Sequence, residues 1–345
     1  MKWYAGENLP RTHARPTFSE AWFHQRYGLE FGERYFADPL FRTEQDRAAR
    51  RLLHERFGAL GLGERDPQPR PHLELCGHRF LPALVGCEVV YQPDQPPAVQ
   101  HLPHCSAREL AALPQPDLGT NRWAREFRRQ GRILLDHYGV VDATINHGGP
   151  LNVATNALGV DAFLGLAEPT AEFRAFLSMI AALCLATYDA LTLPLNPNLG
   201  TGRELFLGNC PVMMLDPETY RTEVLPADLR LRHGVQRFGL HHCGPMDRYL
   251  EAYRALGACE YVEVGWGSTI AKVRQAFPTT TLDLMINIPA VQAMSRDRLA
   301  ETLREMVVQA APRALIRDVF LADLGPEVPD PTVESFVEAV NTAFA

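Results

Sequence analysis

His241 and Cys243 stand two residues apart in the run Phe238-Gly239-Leu240-His241-His242-Cys243-Gly244-Pro245, where borderline and soft metal-binding side chains crowd together. In an extended segment, side chains at i and i+2 share a face. An imidazole and a thiolate placed this way can converge on one Zn²⁺, whose usual protein ligands are Cys sulfur and His nitrogen. His242 falls on the opposite face and reads as a structural residue. So short a motif also arises by chance, and the plainer alternative is a buried cysteine beside a hydrogen-bonded histidine.

The elements that would position this pair follow a rhythm that begins near residue 125. Helical patterns at 125–138, 170–191, 247–256, 268–276, 295–310 and 331–344 alternate with strand-like runs at 140–146, 204–210, 236–241, 259–264, 281–287 and 315–321. Strand-then-helix units with short connections predict an α/β fold with a parallel sheet, and their number favours closure into a (β/α)8 TIM barrel. No Gly-rich dinucleotide fingerprint supports an open doubly wound sheet. Residues 1–68 read as an N-terminal extension packed on a barrel formed by residues 69–345, a single domain overall. Within the extension, 46–57 is helical and closed by Gly58. Residues 80–91 read as a short strand-like run and 92–97 as a turn.

In such a barrel the active-site groups stand at the C-terminal ends of the strands. The candidates there are Asn146 and His147, Cys210, His241 and Cys243, Glu263, Asn287 and Asp323. Cys210 falls after Gly208-Asn209 and before Pro211, where a barrel places it at the mouth. Glu263 reads as a general base held by its strand. Asn146, His147, Asn287 and Arg26 are the expected substrate contacts. Each has a plainer role open to it: a helix cap, a turn that needs glycine, or an ion pair.

The net charge of −7 and pI near 6.0 argue against a general nucleic-acid or anionic-membrane binder. The seven cysteines are odd in number and scattered, as expected for reduced thiols. No apolar run approaches the length needed to span a bilayer, and Met1-Lys2-Trp3-Tyr4 does not lead into the apolar core of a signal peptide, so a cytoplasmic location is expected.

The Leu240-His241-His242-Cys243-Gly244 strand end, Gly148-Gly149-Pro150-Leu151, and the stretch from Asp216-Pro217-Glu218 to Val224-Leu225-Pro226 resemble the uroporphyrinogen decarboxylase superfamily. They are most similar to its zinc-dependent, corrinoid-linked methyltransferase branch, whose members carry an H-x-C-G zinc motif. The resemblance spans roughly residues 20–345 and implies a (β/α)8 barrel with an N-terminal extension. It also implies that His241 and Cys243 bind zinc and that Glu263 can complete the site. That branch takes a third ligand from a cysteine after the last strand; here the stretch is Leu321-Ala322-Asp323-Leu324-Gly325-Pro326, without one, and Cys210 is the favoured thiolate in its place, with Asp323 as another option. The decarboxylase branch grips an acidic porphyrinogen with an arginine-rich N-terminal segment, where this chain has Trp22-Phe23-His24-Gln25-Arg26-Tyr27-Gly28 and a single arginine.

The resulting expectation is zinc-dependent methyl or alkyl transfer to a metal-activated small-molecule thiol. A corrinoid would be the methyl donor, delivered by a separate corrinoid protein because no corrinoid-binding segment is visible. The runner-up is a lyase or decarboxylase of a small carboxylated substrate, with or without metal. A third reading is a non-catalytic barrel that binds a small ligand or a corrinoid.

Overall fold

Five of the apolar runs, joined by residues 14–18, pair into one parallel sheet in the computed structural model, which describes residues 13–103, 107–145, 148–196 and 203–345. The strands in chain order are β1 (Ala14–Phe18), β2 (Glu88–Gln92), β3 (Gln95–Gln100), β4 (Glu204–Gly208), β5 (Arg237–His242), β6 (Tyr261–Val264), β7 (Thr281–Ile286) and β8 (Ile316–Leu324). The sheet order is β1-β8-β7-β6-β5-β4, all neighbours parallel, and β2 and β3 form a separate antiparallel hairpin.

The expected closed, eight-stranded barrel is therefore corrected to a six-stranded half-barrel among the described residues. Pairing continues past β4 only as single parallel bridges, Gly148 with Gly208 and His72 with Asp142. The run expected as a strand at 140–146 is interrupted because the Asp142 carboxylate accepts from Thr144 N (2.8 Å), a local turn that competes with the ladder.

Two further expectations change. Residues 14–18, assigned to a packed extension, form β1 inside the sheet against β8. The run at 80–91 splits: Phe80–Leu84 is helical, Gly86 breaks the chain at φ 113°, and the strand starts only at Glu88. Prolines 96 and 97 lie in β3, where a two-stranded hairpin leaves an edge that tolerates the missing N–H.

Register separates the two faces of the sheet. Leu240, Val262 and Leu282 are paired neighbours with no solvent exposure, and they face the helices. The next row, His241, Glu263 and Asp283, turns the other way and gives the inner face its polar character.

Helix ends follow their sequence signals. Thr170 Oγ1 accepts from Phe173 N at the start of Ala171–Thr187, and Gly139 closes Arg122–Tyr138 in the left-handed region at φ 73°. The helical stretch Ala171–Leu195 is, by length and composition, long and apolar enough to cross a membrane, contrary to the sequence reading, yet more than half of it is buried inside the protein. The N-terminal region shares the core: Trp22, Phe23, Phe31 and Phe57 are buried. The fully buried Arg42 guanidinium donates to His72 O, Glu74 O, Tyr35 O and Gln130 Oε1.

Candidate metal centre

Three strand ends hold the site. At the end of β4, Gly208 O accepts from Gly149 N (2.9 Å) and Asn152 Nδ2 (2.6 Å), so the Gly148-Gly149-Pro150 segment braces the turn from below. Asn209 N then donates across to His241 O (3.1 Å), and the chain enters a tight turn at Cys210. The Asn209 side chain is buried, donating to Asp228 Oδ2 (3.0 Å). On β5 the alternation sends His241 inward and His242 outward. His242 has no exposed surface and sits 2.8 Å from Tyr253 OH, the structural role that the strand pattern predicts. At the end of β6, a Cβ on Gly265 would lie within 3.0 Å of Gly244 O, His242 O and the Cys243 carbonyl carbon, so only glycine lets the two strand ends approach this closely.

This framework brings Cys210, His241 and Cys243 together with their ligand atoms all within 4.8 Å of one another. The two sulfurs are 2.8 Å apart, against about 2.05 Å in a disulfide, and both cysteines are free thiols. Cys243 Sγ lies 2.9 Å from His241 Nε2. The other ring nitrogen, Nδ1, donates to Glu263 Oε2 at 2.6 Å. That bond fixes the ring and aims Nε2 at the thiols, the arrangement by which metal-binding histidines are oriented.

Glu263 is itself held from behind. Its Oε1 accepts from Arg15 Nη2 (2.9 Å), which also donates to Asp283 Oδ2 (3.0 Å), and Arg317 closes the row by pairing with Asp283. On a flat sheet β1 and β6 would be about 14 Å apart, three strand spacings. The Arg15–Glu263 contact exists because the sheet curls and lets the side chain cross the interior.

The charges follow from these contacts. The hydrogen bond from Cys243 is the main cause that lowers Cys210 to about 5, assisted by the His241 hydrogen bond and charge and opposed by burial. Burial works against a charge on His241, but hydrogen bonds to Cys210 and Glu263 raise it to about 9. Cys243 is pushed well above the usual thiol range by its bond to Cys210, by burial, and by the negative charges of Cys210, Asp323 and Glu263. The metal-free cluster thus holds one thiolate, one imidazolium and one thiol.

Of the other predicted residues, Glu263 is brought to the site but behind the imidazole; its carboxylate is engaged by His241 and Arg15 and is not among the converging ligand atoms. Asp323 is exposed at the end of β8 and acts on Cys243 through its charge. It is the one non-glycine residue at positive φ (58°) among those described, and its N–H donates to Thr17 Oγ1. Asn287 Oδ1 accepts from Ala290 N (2.9 Å) and caps the helix Ile288–Ala293. Arg26, expected to contact substrate, is instead a brace: it donates to Asp330 Oδ1, Pro326 O and Val328 O, each at 2.8 Å. Asn146 and His147 lie outside the described residues.

Sequence reasoning missed Arg15, Asp283 and Gly265. The first two carry one available signal, an ionisable residue inside a strand that is otherwise buried.

No family model matches the sequence, and no curated protein matches it. Among solved structures, the chain is similar to a methyltransferase from Methanosarcina mazei, with a TM-score of 0.64 and 16% identity, over 99% of this chain and 95% of that one. At that identity the likeness establishes a shared fold across the whole chain.

Proposed function

We propose that this protein is a zinc-dependent transferase that moves a methyl or other alkyl group to a thiol. The observation that carries the reading is the convergence of Cys210, His241 and Cys243 at adjoining strand ends, with Glu263 fixing the imidazole. Two thiol sulfurs and an oriented imidazole are a donor set suited to zinc, and three protein ligands leave a fourth position of a tetrahedral ion open. When bound, zinc would supply a cation that favours the thiolate form of a substrate. The likeness in fold to a methyltransferase supports the same reading.

This chain's own residues would then divide the work. Cys210, His241 and Cys243 hold the ion, and Glu263 holds His241. Asp323, exposed, adds a negative charge that acts on Cys243, and the substrate thiol's proton passes to solvent beside the exposed Cys243. The sulfur forms a bond to the alkyl carbon as the carbon–donor bond breaks, and that bond's electron pair leaves with the donor. A corrinoid delivered by a partner protein is the donor this reading favours. Of the residues expected to orient a lyase's carboxylate, Arg26 is committed to Asp330 and two carbonyls and Asn287 caps a helix, while Asn146 and His147 lie outside the described residues.

The test is metal analysis of purified protein beside His241→Ala, Cys243→Ser and Cys210→Ser, followed by transfer from methylcobalamin to a panel of thiols. One zinc per chain, lost in all three variants, with zinc-dependent thioether formation, is the expected result. Wild-type protein that binds no zinc after incubation with excess ion would refute the reading.

A further inference from the structure

We propose that Arg15 is a positioning residue for the metal centre: it locks the carboxylate of Glu263 in the one orientation that turns His241 Nε2 toward the two cysteines. The inference rests on the metal-centre reading above. It concerns a residue 226 positions away in sequence from His241, on the first strand of the sheet (241 minus 15).

A carboxylate bonded only to His241 Nδ1 could rotate about its last torsion and carry the imidazole with it. Glu263 is bonded at both ends, through Oε2 to His241 and through Oε1 to Arg15. Its plane is therefore fixed by two partners on opposite sides. Arg15 is fixed in turn. One Nη2 donates to both Glu263 and Asp283, its Nε lies 3.6 Å from Asp318, and its guanidinium stacks 4.3 Å above the Phe320 ring. Asp283 cannot drift either, because Arg317 pairs with its carboxylate. Glu263 and Asp283 have side-chain exposures of 1% and 0%, so water does not replace a lost partner.

The demand is for a fixed direction as well as a charge: one Nη2, held in a guanidinium plane over the Phe320 ring, serves both carboxylates. Arginine donates in several fixed in-plane directions and stacks on an aromatic ring, whereas a lysine ammonium does neither. Partners that orient a metal-bound histidine typically contribute about 10–100-fold in metal affinity. The structure places Arg15 one step further out, acting through Glu263.

The test is a double-mutant cycle on zinc affinity, measured by competition with a chromogenic chelator, using Arg15→Gln, Arg15→Lys, Glu263→Gln and the doubles in the full chain. Arg15→Gln is expected to weaken zinc binding by about 10-fold or more, with Arg15→Lys recovering only part. In the Glu263→Gln background, substituting Arg15 should cost little more. Cobalt(II) loaded into the Arg15 variants should show shifted visible bands, a readout of ligand geometry that a general loss of stability does not move. Leu303→Ala, a core substitution in the helix Arg296–Gln309, should lower the melting temperature with zinc affinity unchanged.

Equal affinity in wild type and the Arg15 variants overturns the inference, as do losses that multiply in the double variants. If Arg15→Gln does not fold, Arg15→Lys decides by the same criterion. A wild-type protein without zinc sinks the metal-centre reading itself. Normal zinc binding that ignores Arg15 sinks only this step.

Discussion

His241 and Cys243 carry the protons that metal loading must move. With His241 raised to about 9 and Cys210 lowered to about 5, the metal-free protein at neutral pH has His241 protonated and Cys210 already a thiolate, while Cys243 keeps its proton. Zinc needs a neutral imidazole and two thiolates. Loading near pH 7 therefore releases protons from His241 and Cys243 and none from Cys210. Apparent zinc affinity should rise about two decades per pH unit through the neutral range. Competition titrations from pH 6 to 8 check the slope, and calorimetry in buffers of different ionisation enthalpy counts the protons; a pH-independent affinity contradicts the assignment. For the metal-free fold the sign is the reverse. A histidine raised above its usual 6.5 contributes stability fully below that pH, and the contribution is lost as pH rises through about 9. The Cys210 contribution runs the other way, lost as pH falls through about 5. At this scale the His241–Cys243 pair was legible in sequence because i and i+2 on a strand share a face. Arg15 was not, because its partner Glu263 is 248 residues away and only the curl of the sheet brings them together.

At the scale of elements, the site depends on how closely β5 and β6 end beside each other. Gly265 follows β6, and what a side chain there would strike is backbone of the Cys243 turn, which has no rotamer to yield. Gly265→Ala should push that turn away from Cys210 and weaken zinc binding by an order of magnitude or more, with a lowered melting temperature. Gly32→Ala is the control, since a Cβ at Gly32 meets only ordinary contacts of 3.5 Å and beyond, at Pro93. Near-normal zinc affinity in Gly265→Ala would mean that the turn is more compliant than its packing indicates. Strands and helices with local signals were readable: the apolar runs that became β4 to β8, and the helical pattern at 125–138 with the glycine that closes it. Elements whose signal is inverted were not. Ala14-Arg15-Pro16-Thr17-Phe18 lacks strand character because Arg15 and Thr17 are polar and Pro16 lacks an N–H, and the run expected as a strand at 140–146 is apolar enough but is diverted by the Asp142 turn. The expectation of eight strands and a closed barrel came from the strand–helix alternation, which does not register a strand diverted by a local turn.

For the whole molecule, the boundary at residue 68 matters most, because it decides whether the N-terminal region is an appendage or part of the scaffold. β1 supplies the sheet edge beside β8 and carries Arg15 to the metal centre. Arg42 ties the helix Pro39–Phe57 to the segment at 72–74 and to Gln130 on the helix Arg122–Tyr138. Arg26 and Arg56 both reach Asp330 at the start of the C-terminal helix Asp330–Phe344, so the two ends of the chain are clamped together. A chain of residues 69–345 would lose β1, leave the carbonyls held by Arg42 without donors, and expose the apolar faces that cover Trp22, Phe23, Phe31 and Phe57. It should show no cooperative thermal transition and bind no stoichiometric zinc. A subtler variant separates support of the fold from support of the site. Arg42→Ala in the full chain should cost roughly 2–4 kcal/mol through its unpaired carbonyls, read as a lower denaturant midpoint at unchanged zinc stoichiometry, because Arg42 touches none of the ligands or their partners. If 69–345 instead melted cooperatively and held one zinc, the N-terminal region would be a separable module, and the path from Arg15 to His241 would be dispensable.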